Sequence, residues 1–165
     1  SKLPVESLQR LMHENLERVG GVVYNEDESR FAELIKETLG SEPALGSEAE
    51  IRPFRWQQGY ASSDNGDVSW MTPMGSMTAA TWVPGTAAHT WQAVAADGMS
   101  IGVKGMMVAA KTLAYTALDL FSDTGRVAEI AAEFQERRGA DFRYDPLLGD
   151  REPPLDYRRT GGSPE

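Results

Sequence analysis

Residues 100–121 read SIGVKGMMVAAKTLAYTALDLF. Apolar side chains at Ile101, Val103, Met106, Met107, Val108, Leu113, Leu118, Leu120 and Phe121 go most of the way round a 3.6-residue period, with alanines between. The spacing predicts a helix from just after Ser100 to about Phe121, buried on more than one face. Such a helix usually packs on a sheet. Upstream, MTAATWV at residues 77–83 is small, β-branched and aromatic, bounded by Gly75 and by Pro84-Gly85, and predicts a strand. Residues 51–56 predict a shorter one. These strands are too few to cover the helix. The expectation is therefore an α/β fold, helix-rich with few strands, whose missing strands lie in another polypeptide or in a larger domain of which this chain is a portion.

The flanks read as amphipathic helices. Residues 4–19 carry Leu8, Leu11, Met12, Leu16 and Val19 in one stripe and stop at Gly20-Gly21. Asn25 with Glu28 three residues on resembles a capping box. It opens a second helix whose face is Phe31, Leu34, Ile35, Thr38 and Leu39, ending at Gly40. Another helix follows Asp123, with Val127, Ile130, Ala131 and Phe134 inward and Gly139 as its stop. Residues 41–50 and 60–66 read as loops. The domain reading is a folded body over residues 1–139 and an extended, partly disordered tail over 140–165, rich in Pro, Arg and Asp.

Composition narrows the chemistry. The 165 residues are 41% hydrophobic, enough for a core. They contain no cysteine, which excludes disulfides, thiolate metal sites and cysteine nucleophiles. The net charge of −9 repels phosphate backbones, so no nucleic-acid partner is expected. No run approaches a membrane span of about 20 apolar residues, and no signal-peptide pattern opens the chain, so no membrane partner and a cytoplasmic location are expected. The chain does not begin with Met, which suggests a boundary at Ser1 made by processing or truncation.

Few residues remain to carry a site. His13 lies on the first helix beside its apolar stripe and reads as a half-buried or surface histidine. His89 sits past the end of the predicted strand and before the buried helix, where α/β folds carry ligands. Asp64 and Asp67, in a turn with Asn65 and Gly66 between them, could bind a cation or orient a histidine, but such turns are more often only turns. No phosphate loop or Gly-x-Ser-x-Gly elbow is present. A hydrolytic metal centre needs three or more His, Asp or Glu ligands and a base, and the count falls short.

Three segments in order, ASSDNGDVSWMTP at 61–73, GTAAHTWQ at 85–92 and SIGVKGMMVAAKTLAYTALDLFSDTG at 100–125, resemble the C-terminal part of the aminobenzoyl-glutamate utilization protein B family. That family belongs to the metal-dependent amidohydrolases of the aminoacylase/carboxypeptidase superfamily. Residues 1–40 are similar to the stretch that resumes its catalytic domain after the lid. The resemblance implies a zinc-peptidase-like three-layer α/β/α catalytic domain, cut by this chain so that the lid and dimerisation domain is absent. It implies hydrolysis of p-aminobenzoyl-glutamate-like N-acyl amino acids with zinc or manganese as divalent cofactor. It makes His89 a metal ligand, Asp67 and Asp64 substrate- or ligand-orienting residues, Gly85 the turn toward the metals, and Ser69 and Trp91 their neighbours. The glycine–cysteine–glycine–histidine run, the paired glutamates and the Trp-His-Pro-Glu of the family have no match here. The chain is thus expected to be inactive alone, a portion needing the missing N-terminal half as partner. The alternative is a non-catalytic interaction module that acts through self-association or a partner chain.

Overall fold

A computed structural model describes residues 1–40, 43–56, 63–145, 149–153 and 155. Ala61 and Ser62 of the acidic segment, the start of the expected loop at 60–66, and most of the expected tail lie outside them. The described residues form six α-helices and one turn of 3₁₀ helix at Ser47–Ala49. The helices are α1 (Glu6–Val19), α2 (Glu26–Lys36), α3 (Asn65–Met71), α4 (Trp91–Asp97), α5 (Ser100–Ser122) and α6 (Thr124–Arg138).

The expected α/β fold is overturned: among the described residues there is no strand and no sheet. Residues 51–56 and 73–80 carry no regular structure. A strand needs a neighbour to close its ladder of N–H and C=O groups, and neither segment has one. The β-prone side chains of 77–83 are instead packed against a helix. Gly105 of α5 lies so close that a Cβ there would stand 2.4 Å from the Ala80 carbonyl oxygen. Val83 ends the segment in a core beside Ile101.

The helical expectations fare differently. α2 opens with the capping box read from Asn25 and Glu28: Asn25 Oδ1 accepts from the Glu28 N–H (2.9 Å) and Glu28 Oε2 from the Asn25 N–H (2.7 Å). α6 is capped by Asp123 and closed by Gly139 at φ +84°. Leu34, expected inward on α2, is exposed, while Ala32 and Glu28 are buried. The short helices α3 and α4 add to the expected set.

α1 and α5 pack antiparallel. Asn15 Nδ2 donates to Asp119 Oδ2 (2.7 Å), while Arg18, one turn on, stacks over Tyr115, one turn back. Two cores form at the two ends of α5. Leu3, Val5, Leu8, Ile130 and Phe134 gather with Trp70 and Leu120 at its C-terminal end. Ala32, Ile35, Val83 and Ile101 gather at its N-terminal end. At about 1.5 Å rise per residue, Ile101 and Leu120 lie roughly 28 Å apart along the axis. No single helix among the described residues is long and apolar enough to cross a membrane.

Candidate functional site

His89 sits on a loop whose shape is fixed from both sides. Before it, the Thr86 N–H donates to the Val83 carbonyl (3.1 Å) and Gly85 turns with φ +91°. After it, Thr90 caps α4: its Oγ1 accepts from the Ala93 N–H (3.3 Å) and donates to the Ala87 carbonyl (2.8 Å). Trp82 Nε1 donates to Asp97 Oδ2 (2.9 Å), joining the residue before the loop to the last residue of α4. His89 itself is exposed with φ +63°, the one non-glycine in the left-handed region among the described residues. That conformation is disfavoured for side chains with a Cβ, and such strain clusters at functional sites. Trp91, the first residue of α4, is also largely exposed beside it.

The acidic segment lies elsewhere. Asp64 precedes α3 and Asp67 stands in its first turn, both exposed. Ser69 is fully buried; its Oγ accepts from the Leu3 N–H (2.9 Å) and donates to the Gly66 carbonyl (2.6 Å). Trp70 Nε1 donates to the Ser1 carbonyl (2.9 Å), and its ring stacks on Phe142 at 4.9 Å. α3 is therefore bound to the chain start and to the core at the C-terminal end of α5. His89 belongs with the opposite end. The fold brings Gly85, His89 and Trp91 together and leaves Asp64, Asp67 and Ser69 apart from them. Ser69 fastens the N-terminal segment.

His13 is half-buried on α1, edge-on to Phe54 with ring centroids 5.6 Å apart, its Nε2 3.3 Å from a Glu17 carboxylate oxygen. Among the described residues no three His, Asp or Glu side chains gather where they could hold a metal ion. The residues present do not fit a complete divalent-metal centre, and His89 belongs to no such group among them.

Two carboxylates carry more of the structure than their spacing in the sequence suggests. Glu28 is buried, and burial pushes its carboxyl upward. Hydrogen bonds from Lys104, Ser100 and Asn25, with the Lys104 charge, outweigh that and hold it below the ordinary range. Glu133 of α6 accepts from the Glu6 N–H (2.7 Å), the Ser7 N–H (2.8 Å) and the Ser7 hydroxyl (2.5 Å), so it caps α1 from another helix. Burial again opposes ionisation there, but these bonds and Arg137 hold its carboxyl at about 2. The capping box signalled the local role of Glu28. Nothing in the local pattern signals a cap contributed across more than a hundred residues.

No protein-family model matches the chain, and no solved structure does. It is 33% identical over 162 residues to the B-type subunit of p-aminobenzoyl-glutamate hydrolase from Escherichia coli (strain K12), a match covering 82% of this chain and 34% of that protein. The chain thus spans about a third of the length of the curated relative it matches.

Proposed function

We propose a function from the premise that this chain belongs to the family of that p-aminobenzoyl-glutamate hydrolase subunit, as a C-terminal portion of it. The portion serves a divalent-metal amidohydrolase that cleaves p-aminobenzoyl-glutamate-like N-acyl amino acids in the cytoplasm. It contributes His89 as one ligand for zinc or manganese and is inactive alone. The remaining ligands and the catalytic glutamate come from an N-terminal portion. The observation that supports this reading is the exposed, left-handed His89 on its stapled loop, in the stretch whose motif led to the family. A metal in such an enzyme would polarise the scissile carbonyl and lower the pKa of a bound water.

The test is reconstitution. This chain is mixed with a separately made N-terminal portion of the E. coli relative and zinc or manganese, and release of glutamate from p-aminobenzoyl-glutamate is measured. Activity should need both parts and fall by more than about 100-fold with His89→Ala, beyond the usual effect of losing an outer-shell partner. Full turnover by this chain alone, or an active His89→Ala mixture, would sink the proposal.

A second reading has its own observation. α5 exposes Val103, Met106, Met107, Leu113, Leu118 and Phe121 in one stripe along its length, the last at 89%. An apolar surface of that extent marks a contact face. The non-catalytic module would use it for self-association or for a partner chain, with no metal chemistry. Sedimentation of the isolated chain, with and without the N-terminal portion, separates the two readings.

A further inference from the structure

Glu28 is the one fully buried charged side chain among the described residues, at 1% exposure. A capping box works at a helix surface and does not require this burial. Removing a carboxylate from water is unfavourable unless its lone pairs are filled. Here they are. Besides the Asn25 N–H on Oε2, Oε1 accepts from the Ser100 hydroxyl (2.5 Å) and Oε2 from Lys104 Nζ (2.5 Å). Lys104 also donates to the Val23 carbonyl (2.8 Å). Both added partners stand in the first two turns of α5, so one carboxylate closes the start of α2 onto the start of α5.

The start of α5 is in turn joined to α4. Gly102 sits where a Cβ would stand 2.7 Å from Asp97 Cα, so the end of α4 presses on the first turn of α5. Asp97 is the residue bound by Trp82. At the other end of α4, Gln92 Nε2 donates to Thr38 Oγ1 (3.2 Å), just past the end of α2. α4 is held at one end through α5 and at the other directly by the α2 turn. His89 is two residues before α4 begins, with only the capping Thr90 between.

We propose that Glu28, Ser100 and Lys104 form a joint around one buried carboxylate that positions His89 through the α4–α5 corner. They are positioning residues and touch no substrate. The consequence for catalysis rests on reading His89 as a ligand; the coupling does not.

The chain has two histidines, which supplies an internal control. Imidazole ¹H–¹⁵N spectra of the chain are compared with those of Glu28→Gln, Lys104→Met and Ser100→Ala. The His89 cross-peaks should move in each variant while those of His13, on the Phe54 side of α1, stay in place. Folded variants in which the His89 peaks remain as still as those of His13 would overturn the joint. If Glu28→Gln does not fold, Ser100→Ala decides, since it removes one bond and leaves the charge pair. Lys104→Arg, which keeps the charge, should return the His89 peaks toward their native positions. An active reconstituted enzyme without spectral coupling refutes the joint alone. Coupling with His89→Ala still active refutes the ligand reading alone.

Discussion

His89 holds a left-handed backbone that few non-glycine residues adopt, at a strain of roughly 1–3 kcal/mol for such conformations. If its imidazole serves a ligand and not the fold, removing the side chain relieves strain and breaks nothing. His89→Gly should leave the thermal midpoint unchanged or raise stability by up to about 1 kcal/mol, set against glycine's unfolded-state entropy. His89→Val should lower stability by more than about 1 kcal/mol, because a β-branched residue fits that region worst. Calorimetry of the two variants checks this. A destabilised His89→Gly would give the ring a structural role. Residue type and loop context sufficed to single out His89 in the sequence. Its backbone angle is set between the Val83–Thr86 turn and the Thr90 cap, and no residue type gives its value. The distance between Asp67 and His89 was equally hidden, because spacing along a chain fixes neighbours only within a helix turn or two.

At the scale of elements, α1 and α6 were legible with their glycine stops, since a 3.6-residue period and a glycine end are local properties. α2 was legible in its cap but ends at Lys36, short of the expected Gly40, and Leu34, Val127 and Ala131 of the expected stripes are exposed. The segment at 77–83 was not legible, because the side chains that suit a strand also suit an extended segment packed on a helix. Gly105 makes that packing possible. Gly105→Ala should destabilise by about 1–3 kcal/mol, since the Cβ would meet backbone at Ala80, which cannot swing aside. Chemical denaturation measures it. α1 depends on a cap from α6. Glu133→Gln should lower stability by about 1.5–3 kcal/mol through bonds to a charged acceptor. The sign with pH follows from a folded pKa of about 2 against the ordinary 4.5. The contribution is fully present above the unfolded value and is lost as pH falls toward 2. Urea midpoints of the native chain and Glu133→Gln should therefore differ at pH 6 and converge as the pH approaches 2. A constant difference would mean that Glu133 acts by packing and not by charge.

For the whole molecule, the deciding feature is that α5 spans both cores yet leaves one side open. Its inward positions include Gly102, Gly105, Thr112 and Thr116, small enough for α1 and the extended segment to approach. Apart from Ile101 and Leu120 in the two cores, most of its larger apolar residues, Leu113 and Leu118 among them, point out. Fold stability therefore depends little on that stripe, whereas the association proposed above would depend on it. Leu113→Lys with Leu118→Lys should change the unfolding free energy of the isolated chain by no more than about 0.5 kcal/mol per site, as exposed substitutions do. The same pair should abolish self-association in sedimentation velocity and prevent reconstitution with the N-terminal portion, because two desolvated ammonium groups oppose any apolar contact. The net charge would move from −9 toward neutral, which favours association, so a loss of binding is not charge repulsion between copies. Reconstitution that survives both substitutions would show that the N-terminal portion docks elsewhere. Unfolding of the double variant would instead place these leucines inside the native core.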